Sequence, residues 1–306
     1  MLSNSQKRPP STENNDPADG WIESLVASLR RVLERKLPPA IAEMPAGTRI
    51  DPAFLNKVRA RLLRMHYENK VGHLGGNLSA IDAMLVIHHE LWRPGDRFVL
   101  SKGHSAGAYY ATLWSLGKLT DADLKTFHKD GTRLAGHPPS RGIPDIEFAT
   151  GSLGHGLSLA AGLAMAAKLK GQNHRITCLT SDGEWQEGST LEALIFAAHH
   201  KLSNLSIVVD HNRLQGFGGT ADVASMNPLD EKLSGFGVEL RRCDGHGLDA
   251  LRRTLAPAGM TGPTVTILDT RKGNGIPDFE DRMESHYLPV TEAQFLAGMA
   301  AFEGAR

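Results

Sequence analysis

The sequence predicts an α/β protein built on one doubly wound parallel sheet with helices on both faces. Two observations carry this. Short apolar runs of β type alternate with helical patterns over roughly 230 residues, and no internal repeat interrupts them. One stretch also shows strand, crossover helix and strand together: Ile176-Thr177-Cys178-Leu179, then Thr190 to Ala198, then Leu205 to Val209. A unit of this length is a right-handed βαβ motif.

The elements follow in order. Residues 1–19 are mostly Ser, Asn, Pro, Asp and Lys, the composition of a disordered tail. From Trp21 to Leu37 apolar residues recur at helical spacing, and Pro38-Pro39 stops the pattern. Residues 20–50 therefore form an N-terminal helical extension ahead of a main domain at 51–306. Asp51-Pro52 supplies an N-cap and first turn for a helix running to about Asn69. The loop Val71 to Ser79 is expected to be too glycine-rich for helix, with the next helix from Ala80 to about Leu91. Arg97 to Leu100 is a short strand entering Ser101-Lys102-Gly103-His104-Ser105, followed by a helix through Tyr109, Leu113 and Leu116. Thr150 to Ser158 leads into a small-residue helix ending near Leu169. After the βαβ unit come a glycine loop at 216–219 and a last strand, Thr264 to Leu268, entering Arg271-Lys272-Gly273-Asn274-Gly275.

Composition narrows the function. The chain has 306 residues, with Lys+Arg and Asp+Glu at 34 each, so no net field draws it to nucleic acid or an acidic membrane. No apolar stretch reaches the roughly 18–20 residues of a membrane helix, and the start lacks a signal-peptide core. The two cysteines have no zinc or disulfide spacing, and Cys178 in its apolar strand reads as a buried thiol. A cytoplasmic protein is expected.

Asp182 and Asn212 each close one strand of the βαβ unit. If the strands are neighbours, both residues lie at a solvent-facing loop on the carboxyl edge of the sheet, where open α/β sheets bind ligands. A carboxylate and an amide carbonyl side by side are hard ligands for Mg²⁺ or Ca²⁺. Gly183 lets backbone approach a phosphate. Alone, Asp-Gly or Asn after a strand is usually turn chemistry; the spacing favours a metal–diphosphate site. His73 beside Gly72 and Gly75, His104 after Gly103, and the Gly151 to Gly156 turn share that edge and suggest imidazoles lining a pocket for an anionic, metal-bound group. Walker A, Rossmann and His-Glu-x-x-His patterns are absent from the sequence. His88-His89 and His199-His200 read as surface or helix-end residues.

These motifs together resemble the amino-terminal, diphosphate-binding domain of transketolase, a thiamine diphosphate enzyme. They are Gly72-His73, Ser101-Lys102-Gly103-His104, Gly136-His137-Pro138, Thr150-Gly151-Ser152-Leu153-Gly154, Asp182-Gly183-x-x-x-Glu187-Gly188 with Asn212, and Lys272-Gly273-x-Gly275 followed by His286. The chain stops shortly after this domain, so the resemblance is to the amino-terminal subunit of a split transketolase with the thiamine diphosphate-binding fold.

The resemblance implies that Asp182, Asn212 and the Leu214 carbonyl hold Mg²⁺ or Ca²⁺. It places Gly183, Lys272 and His286 at the diphosphate, with Gly151 and Leu153 bordering the cofactor through backbone. His73, His104, His137 and His286 become the catalytic set, binding substrate hydroxyls and moving protons, with His104 also touching cofactor. Glu187 falls at a dimer contact. The implied activity is transfer of a two-carbon ketol unit between sugars or sugar phosphates, in an α2β2 assembly with a carboxy-terminal transketolase subunit. Alternatives are a deoxyxylulose-phosphate synthase-like or 2-oxo-acid dehydrogenase α-like subunit, or a non-catalytic regulatory subunit that kept the fold. Two departures stand out. Ser181 replaces the usual glycine, where it is expected to cap a helix, and Tyr287 follows His286 in place of glycine.

Overall fold

The computed structural model describes residues 48–304 apart from 258 and 260. Among the described residues seven strands form: β1 (Arg97–Leu100), β2 (Ile176–Ser181), β3 (Leu205–His211), β4 (Leu214–Gln215), β5 (Gly218–Gly219), β6 (Glu239–Asp244) and β7 (Thr264–Asp269). The tail expected at 1–19, and all but the last few residues of the extension expected at 20–50, lie outside the described residues.

Five of the strands make one sheet in the order β1-β2-β3-β7-β6, every pair parallel. The register pairs Ser181 with Asp210, so β2 and β3 deliver Asp182 and Asn212 to the same edge as neighbours. β4 and β5 form a small antiparallel hairpin just beyond β3, where sequence suggested only a glycine loop.

Alternation along the strands divides the core in two. Phe98, Leu100, Leu179, Val208 and Leu268 face one apolar layer. Val99, Cys178, Ile207, Val209, Val265 and Ile267 face the other. The first layer is covered by α1 (Pro52–Asn69), α2 (Leu74–Val86) and α3 (Ala106–Ser115). A short α4 (Asp121–Leu124) follows them. The second layer is covered by α5 (Gly156–Leu169) and α6 (Gly188–His199). Next come α7 (Thr220–Ala224), α8 (Leu229–Ser234), α9 (Leu248–Leu255), α10 (Glu284–Tyr287) and α11 (Glu292–Gly304). Leu229 and Leu233 of α8 join the second layer, whereas Leu251 of α9 and Phe302 of α11 join the first.

The start of α2 corrects the sequence reading. The helix begins at Leu74 and runs straight through Gly75 and Gly76, and all thirteen of its residues are buried. Glycine serves here for close packing rather than for a turn. A Cβ on Gly75 would stand 2.2 Å from Ser285 Oγ. The actual break is His73, in the left-handed region at φ 65°.

His88 and His89 are a second correction. They are buried, not superficial, in one π-helical turn over Ile87–Leu91. A helix that is apolar all round lies inside the protein, and its histidines go with it. His88 stacks on Trp92 with ring centres 5.1 Å apart, and its Nδ1 donates to the Met84 carbonyl at 2.8 Å. His89 Nε2 lies 2.9 Å from Ser115 Oγ. His199 and His200 do sit at a helix end, His199 exposed. Cys178 is fully buried and its thiol pKa is pushed up by that burial; both cysteines are free. Among the described residues no helix is long and apolar enough to cross a membrane.

Candidate active site

The carboxyl ends of the strands gather the polar residues. β1 runs into Ser101-Lys102 and the tight turn Gly103–Ser105 that carries His104. β2 ends at Ser181, so Asp182 opens the next turn and its Oδ1 accepts the Gly183 N–H at 2.8 Å. Its Oδ2 accepts the Arg213 N–H. Ser181 does not cap; its buried Oγ has no hydrogen-bond partner among the described residues, and Asp182 takes that role. Asn212 follows β3, and its Oδ1 accepts the Leu214 N–H at 3.1 Å. Both Asp182 and Asn212 are buried, 5% and 4% exposed, where a solvent-facing edge was expected. The loops that hold them fold back over the sheet end.

Four imidazoles converge above this edge. His73 has ring-centre distances of 5.8 Å to His104, 5.9 Å to His137 and 5.0 Å to His286. His104 and His286 lie 5.4 Å apart. Desolvation is the largest cause lowering each pKa, although His137 keeps an exposed side and the other three are half-buried. It takes His73 to about 4, with His137 and Lys272 nearby adding to the shift. His286 falls to about 3, helped by the Lys272 charge. His104 drops well below 6.5, and His137 is lowered too. All four are therefore neutral at pH 7, each with one nitrogen to donate and one to accept.

Lys272, 1% exposed, links the imidazoles to the Asp182–Asn212 corner. Its Nζ donates to the Leu214 carbonyl at 3.0 Å and lies 2.9 Å from His286 Nδ1. Burial, with the Lys102 charge close by, lowers its pKa to about 8. Asp182 moves the other way. Burial and the Asp210 charge raise its carboxyl to about 6. A buried carboxylate short of positive charge, an amide oxygen and a backbone carbonyl make a hard-oxygen donor set, and the Lys272 ammonium already on the Leu214 carbonyl marks a place that attracts cations.

The remaining predicted positions are also placed. Gly151, at φ 142°, lies where a Cβ would come within 2.9 Å of the His137 ring. Leu153 is half-buried in the same turn. Glu187 is exposed and precedes the first turn of α6. Tyr287, the departure beside His286, donates its hydroxyl to the Gly216 carbonyl at 2.6 Å and so ties α10 to the β4–β5 hairpin.

Sequence reading left out the floor beneath these groups. Lys102 Nζ forms a buried ion pair with Asp210 and donates to the Gly76 carbonyl at 2.9 Å. Asp210 also accepts from Ser79 Oγ at 2.6 Å and from Thr270 Oγ1. Burial alone would raise the Asp210 pKa, but Lys102 and the two hydroxyls hold it low. Glu184 is likewise buried, accepting from Ser101 and, at 2.9 Å, from the Gly154 N–H. It thereby fixes the Gly151–Gly156 turn. Lys102 stood inside a run already singled out and Asp210 directly after another, but nothing local in sequence pairs them.

A parallel sheet that gathers oxygen donors, a buried lysine and imidazoles at its carboxyl edge is the arrangement of an open α/β domain that binds a ligand there. Residues 51–301 match the family described as transketolase, thiamine diphosphate binding domain, and the chain belongs to the transketolase family. It is similar to an apulose-4-phosphate transketolase subunit of Actinobacillus succinogenes, 40% identical across 71% of this chain and 82% of the relative. It is also similar to 6-deoxy-6-sulfo-D-fructose transketolase subunit SqwG of a Clostridium species, 34% identical over 76% of this chain and 89% of that protein. Among solved structures, transketolase from Leishmania mexicana superposes with a TM-score of 0.76 at 28% identity, covering 83% of this chain. The chain spans only 41% of that longer protein.

Proposed function

We propose that this chain is the diphosphate-binding subunit of a two-chain, thiamine diphosphate-dependent transketolase. It would transfer a two-carbon ketol unit from a ketose to an aldose, with sugars or sugar phosphates as substrates. One observation carries the reading: the hard-oxygen corner, Lys272 and four neutral imidazoles converge at one sheet edge. The match in length to relatives named as subunits supports the two-chain form.

When bound, thiamine diphosphate supplies the carbon that attacks the ketose carbonyl and holds the two-carbon unit. In this reading Asp182, Asn212 and the Leu214 carbonyl ligate Mg²⁺ or Ca²⁺. Lys272 would supply positive charge to the diphosphate, which Gly183 and His286 would also border. Gly151 and Leu153 line the cofactor with backbone. His73, His104, His137 and His286 would receive substrate hydroxyls, and as neutral rings each offers one nitrogen that donates and one that accepts, so they can orient a hydroxyl and relay its proton. The partner is a carboxy-terminal transketolase subunit that covers the open edge and excludes water. An α2β2 assembly with Glu187 near a two-fold contact follows from this reading, as does a cytoplasmic location.

Calorimetric titration of thiamine diphosphate and Mg²⁺ into the assembled enzyme tests it. Asp182→Ala is expected to weaken cofactor binding by about 100-fold, the usual scale for losing a metal ligand or its support. Parent affinity in that variant would remove the metal site from the reading.

A further inference from the structure

Arg59 on α1 and Asp82 on α2 are both buried, and Asp82 is inaccessible to solvent. Arg59 Nε donates to Asp82 Oδ1 at 3.0 Å, and a second guanidinium nitrogen reaches Oδ2. This fork fixes the carboxylate in one orientation. His246 comes from the turn after β6, and its Nδ1 lies 2.8 Å from Asp82 Oδ2. Its other nitrogen, Nε2, accepts the backbone N–H of Arg271 at 2.9 Å. The side-chain amide of Asn274, in the turn after β7, also approaches Nδ1 at 3.2 Å; with that nitrogen protonated it is the amide oxygen that faces the ring.

The two contacts leave the ring a single tautomer. A carboxylate paired with arginine offers no proton, so Nδ1 must carry one. A backbone N–H needs a lone pair, so Nε2 must be bare. The residue after Arg271 is Lys272, whose ammonium spans the Leu214 carbonyl and His286. On its far side the backbone is pinned by Gly273 N–H to the Gly75 carbonyl at 2.9 Å, and by Asp281 N–H to the Lys272 carbonyl at 2.8 Å. At Arg271 the backbone N–H is held by an imidazole that the helical layer orients.

We infer that His246 is a positioning residue: the line Arg59–Asp82–His246 fixes the backbone at Arg271 and thereby aims Lys272 at the diphosphate end of the site. The consequence for binding rests on the role given to Lys272 above; the consequence for the backbone does not. Outer partners of this kind set ligand geometry in many sites and lower affinity by about 10- to 100-fold when lost.

Two near-isosteric substitutions separate this role from general packing. In His246→Asn the amide reaches the place of Nδ1 and keeps the donor to Asp82, but leaves nothing to accept from Arg271. In His246→Gln an amide oxygen can stand near Nε2 and keep that acceptor. Hydrogen exchange followed by mass spectrometry on the purified full chain reads the short segment that holds the Arg271 amide. His246→Asn is expected to speed exchange in the 269–276 segment by about ten-fold, while His246→Gln stays within about three-fold of the parent. β7 and the melting temperature should not move. Parent-like exchange in His246→Asn, or equal acceleration in both variants, overturns the inference.

Should His246→Asn fail to fold, Asp82→Asn serves instead. It frees the ring to adopt the other tautomer and is expected to speed exchange of the same amide; unchanged exchange there also overturns the inference. In the assembled enzyme, His246→Asn should weaken thiamine diphosphate affinity about ten-fold and leave kcat at saturating cofactor unchanged. Faster exchange with unchanged affinity would leave the backbone role standing and remove Lys272 from the diphosphate.

Discussion

Lys102 and Asp210 meet as a charged pair with both side chains 1% exposed, whereas His73, His104 and His286 at the same sheet edge are half-buried rings whose pKa values are lowered. The two groups almost touch, since a Cβ on Gly76 would stand 3.3 Å from both Lys102 Nζ and the His104 ring. Below, each charge has an opposite charge and further hydrogen bonds, so ionisation survives burial. Above, no carboxylate among the described residues pairs with these rings, and burial keeps protons off them. The floor holds a fixed charge distribution that resists change. The rings hold neutral donor–acceptor sites that resist taking up a proton.

Breaking the floor should have the largest effect. Lys102→Met leaves Asp210 buried without a counter-charge and is expected to cost about 3–5 kcal/mol of stability in urea unfolding. Adding Asp210→Asn to it should recover most of that loss. If the single variant costs under about 1 kcal/mol, the pair is not the charged support described here.

A pH series sharpens the neutral side of the comparison through His66, fully buried on α1 with Nδ1 on the Leu62 carbonyl at 3.0 Å. Burial lowers its pKa from 6.5 to about 4. The folded pKa lies below the unfolded one, so the contribution is present above pH 6.5 and is lost as pH falls towards 4. Between pH 7 and pH 5 His66 accounts for about 2 kcal/mol of that loss. His66→Leu should therefore lose about that much less stability than the parent over the same interval. An identical pH dependence would mean that His66 takes up a proton while still folded.

The smallest effect is expected at the rim. Tyr287 is 56% exposed, and its bond to the Gly216 carbonyl competes with water. Tyr287→Phe should cost no more than about 1 kcal/mol globally. It should nevertheless loosen the β4–β5 hairpin, read as faster amide exchange over 214–219. No change there would mean that the hydroxyl does not tether the hairpin.

The parts of the fold that repeat a local rule were legible. Apolar runs ended by Gly or Asp became strands, and Asp51 caps α1, its Oδ1 accepting the Phe54 N–H at 2.7 Å. The convergence of Asp182 with Asn212, and of His73 with His104, followed once the sheet was parallel, whereas His137 and His286 were reached only through the family resemblance. What escaped depended on tertiary packing. Gly75 and Gly76 look like loop residues unless Ser285, Lys102 and His104 are known to press on them. His88 looks exposed unless the aromatic cage of Trp92, Phe98 and Tyr109 is present. Asp182 looks like a rim residue until Arg213 folds over it. The Lys102–Asp210 pair joins residues 108 positions apart, with no periodicity to announce it.

Gly103 and Gly151 pass so closely that a methyl on the first would stand 2.7 Å from the second's nitrogen, and one on the second 2.9 Å from the His137 ring. Thr150 Oγ1 fastens the same crossing to the Leu100 carbonyl at 2.6 Å. Mechanically, the loop bearing His104 and the loop braced against His137 form a single jig with no slack between its arms. Their mutual orientation is settled when the chain folds, so in the proposed reading a sugar would not have to spend binding energy assembling the site.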